Sequence, residues 1–387
     1  MLDNILSGKT VSEPCRKSIF LKPQEIRVVL ERLLEGHMSK TKHKERKAID
    51  YFFVRVLTNY VQALVDLEES FGGARSSLST PTELFLEFAT LTDNLIKQGY
   101  MLEQDLRDKR LKKAVYLAFR EVISHWYAGN PFMRRCLEKP LGHPGDYLTM
   151  EMVYTYEPRY TFNLDGLFDR YLLRHAHCVR ARKDKMKVFL QGYLSRDSDV
   201  YSPLVILSLG SGSCREWVEL NQELSRRNLG KDVKVQLVCL DRDIEALEFA
   251  QERLADHHLI TSLEAIHSSL VAFYKQGHRM FESKRFNLIY ALGVADYFYN
   301  ESLSNIVASA FVLLKEKGEL IITHKDRTQF RVVPSNWLCD WSFVPRSEEE
   351  FSQVVINALT TMGVVFDWRL ERDKTGKIIF GIVRKGK

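Results

Sequence analysis

The sequence predicts an α/β protein in two parts. An all-helical N-terminal domain precedes an open, mostly parallel sheet that ends in an antiparallel hairpin. Three observations predict it. Before Trp126 the apolar residues recur at steps of three and four, the period of helices with one buried face. From Leu204 onward, short apolar runs alternate with helical text, the layout of right-handed βαβ units. After the last of these, two strand-like runs flank a turn at Asp373-Lys374-Thr375-Gly376.

Length and composition set the bounds. At about 150 residues per domain, 387 residues make two or three units. The chain is 45% hydrophobic and 27% charged, too apolar for a disordered protein. Lys+Arg minus Asp+Glu is 56 − 50 = +6, which suits an acidic ligand or a membrane-surface contact without requiring nucleic acid, and none is expected. No apolar run approaches the roughly 18 residues of a membrane span. Met1-Leu2-Asp3-Asn4-Ile5 lacks the basic-then-apolar layout of a secretory signal. The six cysteines (Cys15, Cys136, Cys178, Cys214, Cys239, Cys339) form no C-x-x-C pair. Neither a disulfide framework nor a zinc site is expected, no metal is implied, and the expected compartment is the reducing cytoplasm.

Taken in order, residues 1–129 read as the helical domain. Ile49, Phe52, Phe53, Val56, Leu57, Tyr60, Val61 and Leu64 mark one buried face. Gly72-Gly73-Ala74-Arg75-Ser76-Ser77 breaks the helix, and Thr80-Pro81-Thr82-Glu83 starts another. The run from Lys40 to Lys47 is the strongest basic cluster and, with Glu45 inside it, reads as a solvated helix start. Residues 130–200 read as an irregular, proline-punctuated and aromatic connector, with Tyr147, Tyr154, Tyr156, Tyr160 and Phe162, followed by a basic helix from Asp165 to Leu194. Residues 201–387 carry the strands: Leu204–Leu209, Val235–Leu240, Leu263–Ile266, Phe286–Tyr290 and Glu319–Thr323, then the hairpin of Val364–Leu370 and Ile378–Val383.

The decisive text is Leu209-Gly210-Ser211-Gly212-Ser213-Cys214-Arg215-Glu216, which follows a strand and opens a helix. Glycines there let backbone approach a ligand, and the helix start offers free N–H groups. A dinucleotide fingerprint needs a third glycine where Arg215 stands, which disfavours an NAD-dependent dehydrogenase. A P-loop would need a Gly-Lys-Ser/Thr that is absent. Asp241 ends the next strand, where an acid takes ribose hydroxyls. Together these point to S-adenosylmethionine (SAM); the plainer reading is a tight strand-to-helix turn with a surface Asp.

Four stretches then carry a resemblance. The second half resembles a class I SAM-dependent methyltransferase with a Rossmann-like sheet. More narrowly, it is similar to the bacterial family of extracellular factor 3-hydroxypalmitic acid methyl ester biosynthesis proteins. Gly142-His143-Pro144-Gly145-Asp146-Tyr147, with Met150 and Tyr154, resembles that family's G-Y-x-G-D-Y motif, His143 replacing an aromatic. Gly210 to Glu216 resembles its glycine loop. Tyr290-Ala291-Leu292-Gly293-Val294-Ala295-Asp296-Tyr297 resembles its Y-S-x-G-L-x-D-Y segment, with Val294 and Ala295 where Leu and an aromatic are common. Asp340-Trp341 with Arg346-Ser347 resembles its D-W-x-x-x-x-R-[ST] segment.

The resemblance implies methyl transfer from SAM to a small or lipid-like acceptor, such as the carboxylate of a hydroxy fatty acid. Alternatives are another metabolite or a protein methylated on O or N, or a scaffold without catalysis. Gly210, Ser211 and Gly212 are expected around the methionine moiety. Glu216 is expected on its ammonium or on the loop backbone, although a first-turn acid favoured by the helix dipole explains it equally. Asp241 is expected on the ribose, and Arg242 and Ser268 (or Ser269) at the adenine. Arg182, or Arg180, would pair with a carboxylate through its guanidinium. Asp146, Tyr147 and Tyr154 would form a lid, whereas an Asx turn would explain Asp146 alone. Asp296, Tyr297 and His324 lie past the fourth and fifth strands, in the crevice where such sheets bind ligands, as candidates for catalysis; the plainer readings are a helix N-cap for Asp296, a core aromatic for Tyr297 and a merely hydrogen-bonded His324.

Overall fold

The computed structural model describes residues 23–38, 41–71, 81–127, 129–157, 163–196, 203–227, 234–255, 259–330 and 334–386. The glycine break at 72–77, Thr80, the aromatics at 160 and 162, Lys40, Cys15 and the N-terminal pentapeptide lie outside the described residues. Two compact units emerge, and they do not follow chain order. One takes in the described residues of Met1–Gly145, Thr155–His175 and Val332–Ser342; the other those of Asp146–Tyr154, Ala176–Arg331 and Phe343–Lys387.

The first unit is helical. Its helices span Pro23–Met38, His43–Tyr51, Thr58–Phe71, Pro81–Asp105, Lys109–Ile123, Pro131–Glu138, Leu164–His175 and Pro334–Cys339. A π-helical turn, Phe52–Leu57, joins the second to the third. The wider turn shifts the apolar face by a residue, so the adjacent Phe52 and Phe53 are both buried. The basic run does start a helix. Buried Glu45 accepts from the Lys42 N–H at 3.0 Å, and Lys44 pairs with Asp105 at 2.8 Å. The core is built around Trp337. Its ring lies 5.3 Å from that of Phe52, 4.8 Å from Tyr116 and 4.9 Å from Phe119, and its Nε1–H donates to Glu103 at 2.6 Å. Gly99 lets the indole in, because a Cβ there would sit 2.7 Å from Trp337.

Two sequence expectations are corrected. Residues 130–157 are not irregular: they hold the eight-residue helices Pro131–Glu138 and Tyr147–Tyr154. Asn130 caps the first, accepting from Met133 N at 3.0 Å, and Pro131 sits in its first turn, so this proline starts a helix rather than breaking one. The single basic helix is two, Leu164–His175 and His177–Arg196, falling in different units.

The second unit is a seven-stranded sheet: β1 (Leu204–Leu209), β2 (Val235–Asp241), β3 (Ile260–His267), β4 (Phe286–Ala291), β5 (Leu314–Lys325), β6 (Phe366–Arg372) and β7 (Ile378–Lys385). The order is β3-β2-β1-β4-β5-β7-β6, parallel through β5, with β7 antiparallel to both β5 and β6. This is the Rossmann-like sheet of the class I methyltransferase fold, with β7 inserted between β5 and the edge strand β6. The β1, β2, β4 and β5 strands are rich in apolar residues because the centre of a doubly covered sheet is buried on both faces, whereas β3, at the edge, is only partly covered. Helices Leu270–Met280, Asn300–Leu313 and Glu348–Thr361 pack together, as do His177–Arg196, Arg215–Arg226 and Ile244–Leu254. No helix among the described residues is long and apolar enough to cross a membrane.

Replacing Trp337 by Ala should destabilise the helical unit by about 3–5 kcal/mol, the cost of an emptied aromatic site. A urea midpoint unchanged from the parent would contradict the placement of Trp337 at that core.

Candidate functional site

The site gathers where β1, β2 and β4 end. Leu209 pairs with Leu240, so the chain leaves β1 beside the end of β2. Gly210 and Ser211 donate their N–H groups to the Leu240 carbonyl at 2.8 and 3.2 Å. Gly212 donates to Asp241 Oδ2 at 2.8 Å, and Asp243 N donates to Oδ1 at 3.0 Å. The loop is left-handed at Gly210 (φ +64°), Gly212 (φ +52°) and Cys214 (φ +49°). A Cβ on Gly210 would stand 2.5 Å from Val294 in the β4 loop, so a larger residue cannot enter. A Cβ on Gly212 would meet nothing within 4 Å, so that side of the loop faces open space.

Arg182 closes one wall. It is buried, and its Nη1 lies 2.0 Å from where a Cβ on Gly293 would be, so the glycine makes room for the guanidinium. Burial favours its neutral form, but Tyr154, to which it is hydrogen-bonded, and Asp296 outweigh this and strengthen its charge. Its Nε has no hydrogen-bond partner among the described residues, and neither does the buried Ser211 Oγ. Two buried polar groups without partners beside a side-chain-free loop suit a ligand with its own donors and acceptors. The geometry brings Gly210, Ser211 and Gly212 onto the end of β2 beside Asp241, and Arg182 against Gly293 after β4.

Other expected residues have defined structural places. Glu216 is buried and accepts from the Tyr290 hydroxyl at 2.7 Å, while Trp217 Nε1–H donates to the same hydroxyl at 2.9 Å. Burial raises the Glu216 carboxyl above its ordinary value, against the pull of Tyr290 and of Arg182. The acid thus anchors the helix start to β4. Arg242 is exposed, and its carbonyl meets His267 Nε2 at 2.9 Å. Ser268 donates its N–H to the Asp241 carbonyl at 2.9 Å, and Ser269 caps the helix Leu270–Met280. Asp146 accepts from Thr149 N at 2.8 Å at the start of helix Tyr147–Tyr154, and the Tyr147 ring packs 5.2 Å from Phe249.

Asp296 and His324 are brought together, and both are hidden, each 1% exposed. Neither opens to an acceptor, and Asp296 does not cap a helix. Asp296 Oδ1 lies 2.9 Å from His324 Nδ1 and accepts from Lys325 N at 2.8 Å; Oδ2 lies 3.8 Å from Lys325 Nζ. Burial opposes its ionisation, but Lys325 and then His324 bring its pKa down to about 2. The His324 ring stacks on Phe351 at 5.2 Å. Tyr297, by contrast, is 42% exposed, with its ring 5.6 Å from Phe343.

Sequence reasoning missed Glu151, Lys325 and the part played by Arg346. Buried Arg346 donates to Asn300 Oδ1 at 2.8 Å, to the Ala295 carbonyl at 3.2 Å and to the Phe298 carbonyl, so it holds the loop after β4. Lys325 Nζ sits 3.1 Å from the centroid of Phe343. Burial brings its pKa down to about 8, helped by Arg182 and opposed by Asp296. Lys325 carries no local sequence signal, because its partners come from other elements. Among the described residues, no group of three His, Cys, Asp or Glu side chains could hold a metal ion.

No family model and no curated protein matches the chain. Solved structures are similar in shape at low identity. A possible exported protein from Bordetella parapertussis is 16% identical, covering 81% of this chain and 99% of that one, with a TM-score of 0.48. Magnesium protoporphyrin IX methyltransferase from Synechocystis PCC 6803, crystallised with SAM, is 11% identical, covering 55% and 83%, with a TM-score of 0.37. An N-methyltransferase from Bradyrhizobium japonicum is 14% identical, covering 53% and 97%, with a TM-score of 0.34.

Asp296→Asn should destabilise the second unit by about 3–5 kcal/mol near neutral pH, because it leaves Lys325 buried without its carboxylate. A carboxylate whose folded pKa is lowered to about 2 stabilises fully above its ordinary value of about 4, and that stability is lost as pH falls from about 4 to about 2. The parent should therefore lose stability over that window and the variant lose less. Equal urea midpoints at pH 6 would contradict the pairing.

Proposed function

We propose that the second unit is a SAM-dependent methyltransferase. The observation that carries this reading is the loop itself: Asp241 draws in the Gly212 N–H, one side of Gly212 meets no neighbouring atom, and Ser211 Oγ and Arg182 Nε are buried without a hydrogen-bond partner among the described residues. These groups fit the cofactor. Gly210, Ser211 and Gly212 would lie along its methionine portion, Arg182 would take its carboxylate, and Asp241, at the end of β2, would take the ribose hydroxyls. Ser268, at the end of β3, and Arg242 would border the adenine. When bound, the cofactor supplies a methyl carbon on a positively charged sulfur, already activated for in-line displacement.

The protein then has to orient the acceptor and exclude water. Burial of the Asp296–His324 pair bears on which acceptor fits. An alcohol or amine needs a proton acceptor within reach, whereas a carboxylate is ionised at neutral pH and needs none. Lys325 adds a positive charge close to the exposed side of Phe343 and Tyr297, favouring an acceptor that brings a negative one. The half-exposed Tyr297 and the exposed Tyr299 offer aromatic surface for an apolar chain. We therefore favour the carboxylate of a lipid-like acceptor, such as a hydroxy fatty acid, with Tyr297 orienting it and Tyr154 and Tyr147 walling the cofactor side.

The parent protein should bind S-adenosylhomocysteine in calorimetry, and Asp241→Ala should weaken that binding about tenfold or more, since two buried-side hydrogen bonds to a charged group are lost. With labelled SAM and a 3-hydroxy fatty acid, the label should appear in a methyl ester. Failure of the parent to bind S-adenosylhomocysteine would overturn the reading, and label confined to polypeptide would overturn the acceptor.

A further inference from the structure

The glycine loop contains a residue that its backbone does not favour. Cys214 is left-handed at φ +49°, a conformation glycine accepts freely and a residue with a Cβ does not. Such a residue persists only where its surroundings hold it. Its buried thiol is packed 3.3 Å from that of Cys239 in β2. The residues on either side are held from a different element. Ser213 Oγ donates to Glu151 Oε1 at 2.6 Å, and Arg215 Nη1 donates to Glu151 Oε2 at 3.0 Å. Glu151 is buried and belongs to the helix Tyr147–Tyr154, which precedes the first strand by some fifty residues of sequence.

We propose that Glu151 is a positioning residue for the cofactor loop: its two carboxylate oxygens clamp Ser213 and Arg215 across Cys214 and so fix the direction of the loop N–H groups. This rests on the methyltransferase reading and adds to it a residue that touches neither cofactor nor acceptor. It also explains Arg215. A dinucleotide loop carries a glycine at that position; here the position supplies a cation because a buried carboxylate faces it. Charge-assisted hydrogen bonds out of contact with water are the strong kind, and both oxygens of Glu151 are engaged in them. Arg215 passes the constraint on, with its Nε 3.0 Å from Glu219 Oε1, and Lys183 also pairs with Glu219. The same short helix reaches Arg182 through Tyr154. The helix is thereby tied to the loop at Glu151 and to the carboxylate-binding arginine at Tyr154, which makes it a fixed wall of the cofactor site and not a lid that swings.

The test uses the full chain, calorimetry with S-adenosylhomocysteine, and hydrogen exchange of the unliganded protein. Glu151→Ala should weaken binding about tenfold and speed amide exchange across residues 210–216. Glu151→Gln keeps an acceptor for Ser213 and should recover much of the affinity. Ser213→Ala removes one hydroxyl, tests the same contact if Glu151→Ala folds poorly, and should weaken binding several-fold. The double variant Glu151→Ala, Ser213→Ala should be no weaker than Glu151→Ala alone, because both changes break one contact. Binding by Glu151→Ala within twofold of the parent, or additive losses in the double variant, would overturn the positioning role. Loop exchange equal to the parent's would overturn it by itself. A parent that does not bind the probe while Glu151→Ala still loosens the loop would instead overturn the cofactor reading on which the role depends.

Discussion

The contact between the Asp241 carboxylate and the Gly212 N–H is the constraint around which the second unit is organised. Parallel pairing alone would bring the ends of β1 and β2 side by side, but it would not decide where the chain goes next. Three successive N–H groups make that decision: those of Gly210 and Ser211 turn to Leu240, and that of Gly212 turns to Asp241. The chain is thereby bent back over β2 before the helix Arg215–Arg226 begins, and Gly210 is pressed against Val294 of the β4 loop. One turn thus gathers three strand ends. A carboxylate is required at residue 241 because its two oxygens serve two segments, the loop through Gly212 and the next helix start through Asp243. An amide or hydroxyl would offer fewer acceptors.

A second set of contacts supports the β4 loop from the opposite side. Asp296, buried and ionised, is shared by His324 and by both the backbone and the ammonium of Lys325. Arg346 takes two carbonyls of the same loop and Asn300. Arg182 is a further cation acting on this acid, and its charge also lowers the basicity of Lys325. Buried like charges are tolerated only where an anion lies between them or arrives with a ligand. Asp296 is that anion here, raising the basicity of both Arg182 and Lys325. Residues that look catalytic by position, Asp296 and His324, hold this scaffold in place.

What was legible in the sequence was what local pattern encodes. The alternation of apolar runs and helical text gave every strand of the sheet, and the terminal hairpin followed from the turn at Asp373–Gly376. The glycine loop and Asp241 could be paired before their hydrogen bond was seen, because strand ends in a parallel sheet fall side by side. The failures are equally local in origin. Pro131, read as a breaker, starts a helix because Asn130 precedes it as a cap. The basic helix was read as one because nothing in its composition marks the junction at Ala176. Trp337 and Arg346 lie on neighbouring segments but serve different units, and no periodicity announces that a chain will leave one core and re-enter another. Glu151 was hidden for the same reason: a single acid on a short helix has no pattern, and its meaning comes from Ser213 and Arg215, sixty residues on.

The two sides of the candidate site are therefore built in different ways. The cofactor side consists of strand ends and backbone N–H groups fixed by Asp241, so it tolerates little change of side chain: Gly210 cannot gain a Cβ without striking Val294, nor Gly293 without striking Arg182. The acceptor side, on the proposed function, would consist of side chains on loops, among them Tyr297, Tyr299 and Phe343, where substitutions alter shape without disturbing the sheet. The Phe343 ring is carried by the first residue of the sheet unit after a segment, ending at Ser342, that belongs to the helical unit. Lys325 reads the same ring from below, at 3.1 Å from its centroid. A cation held against an aromatic face in a water-poor setting is oriented before any acceptor arrives. On the proposed function, acceptor choice would depend on charge placement around Lys325, while cofactor binding would depend on the strand ends.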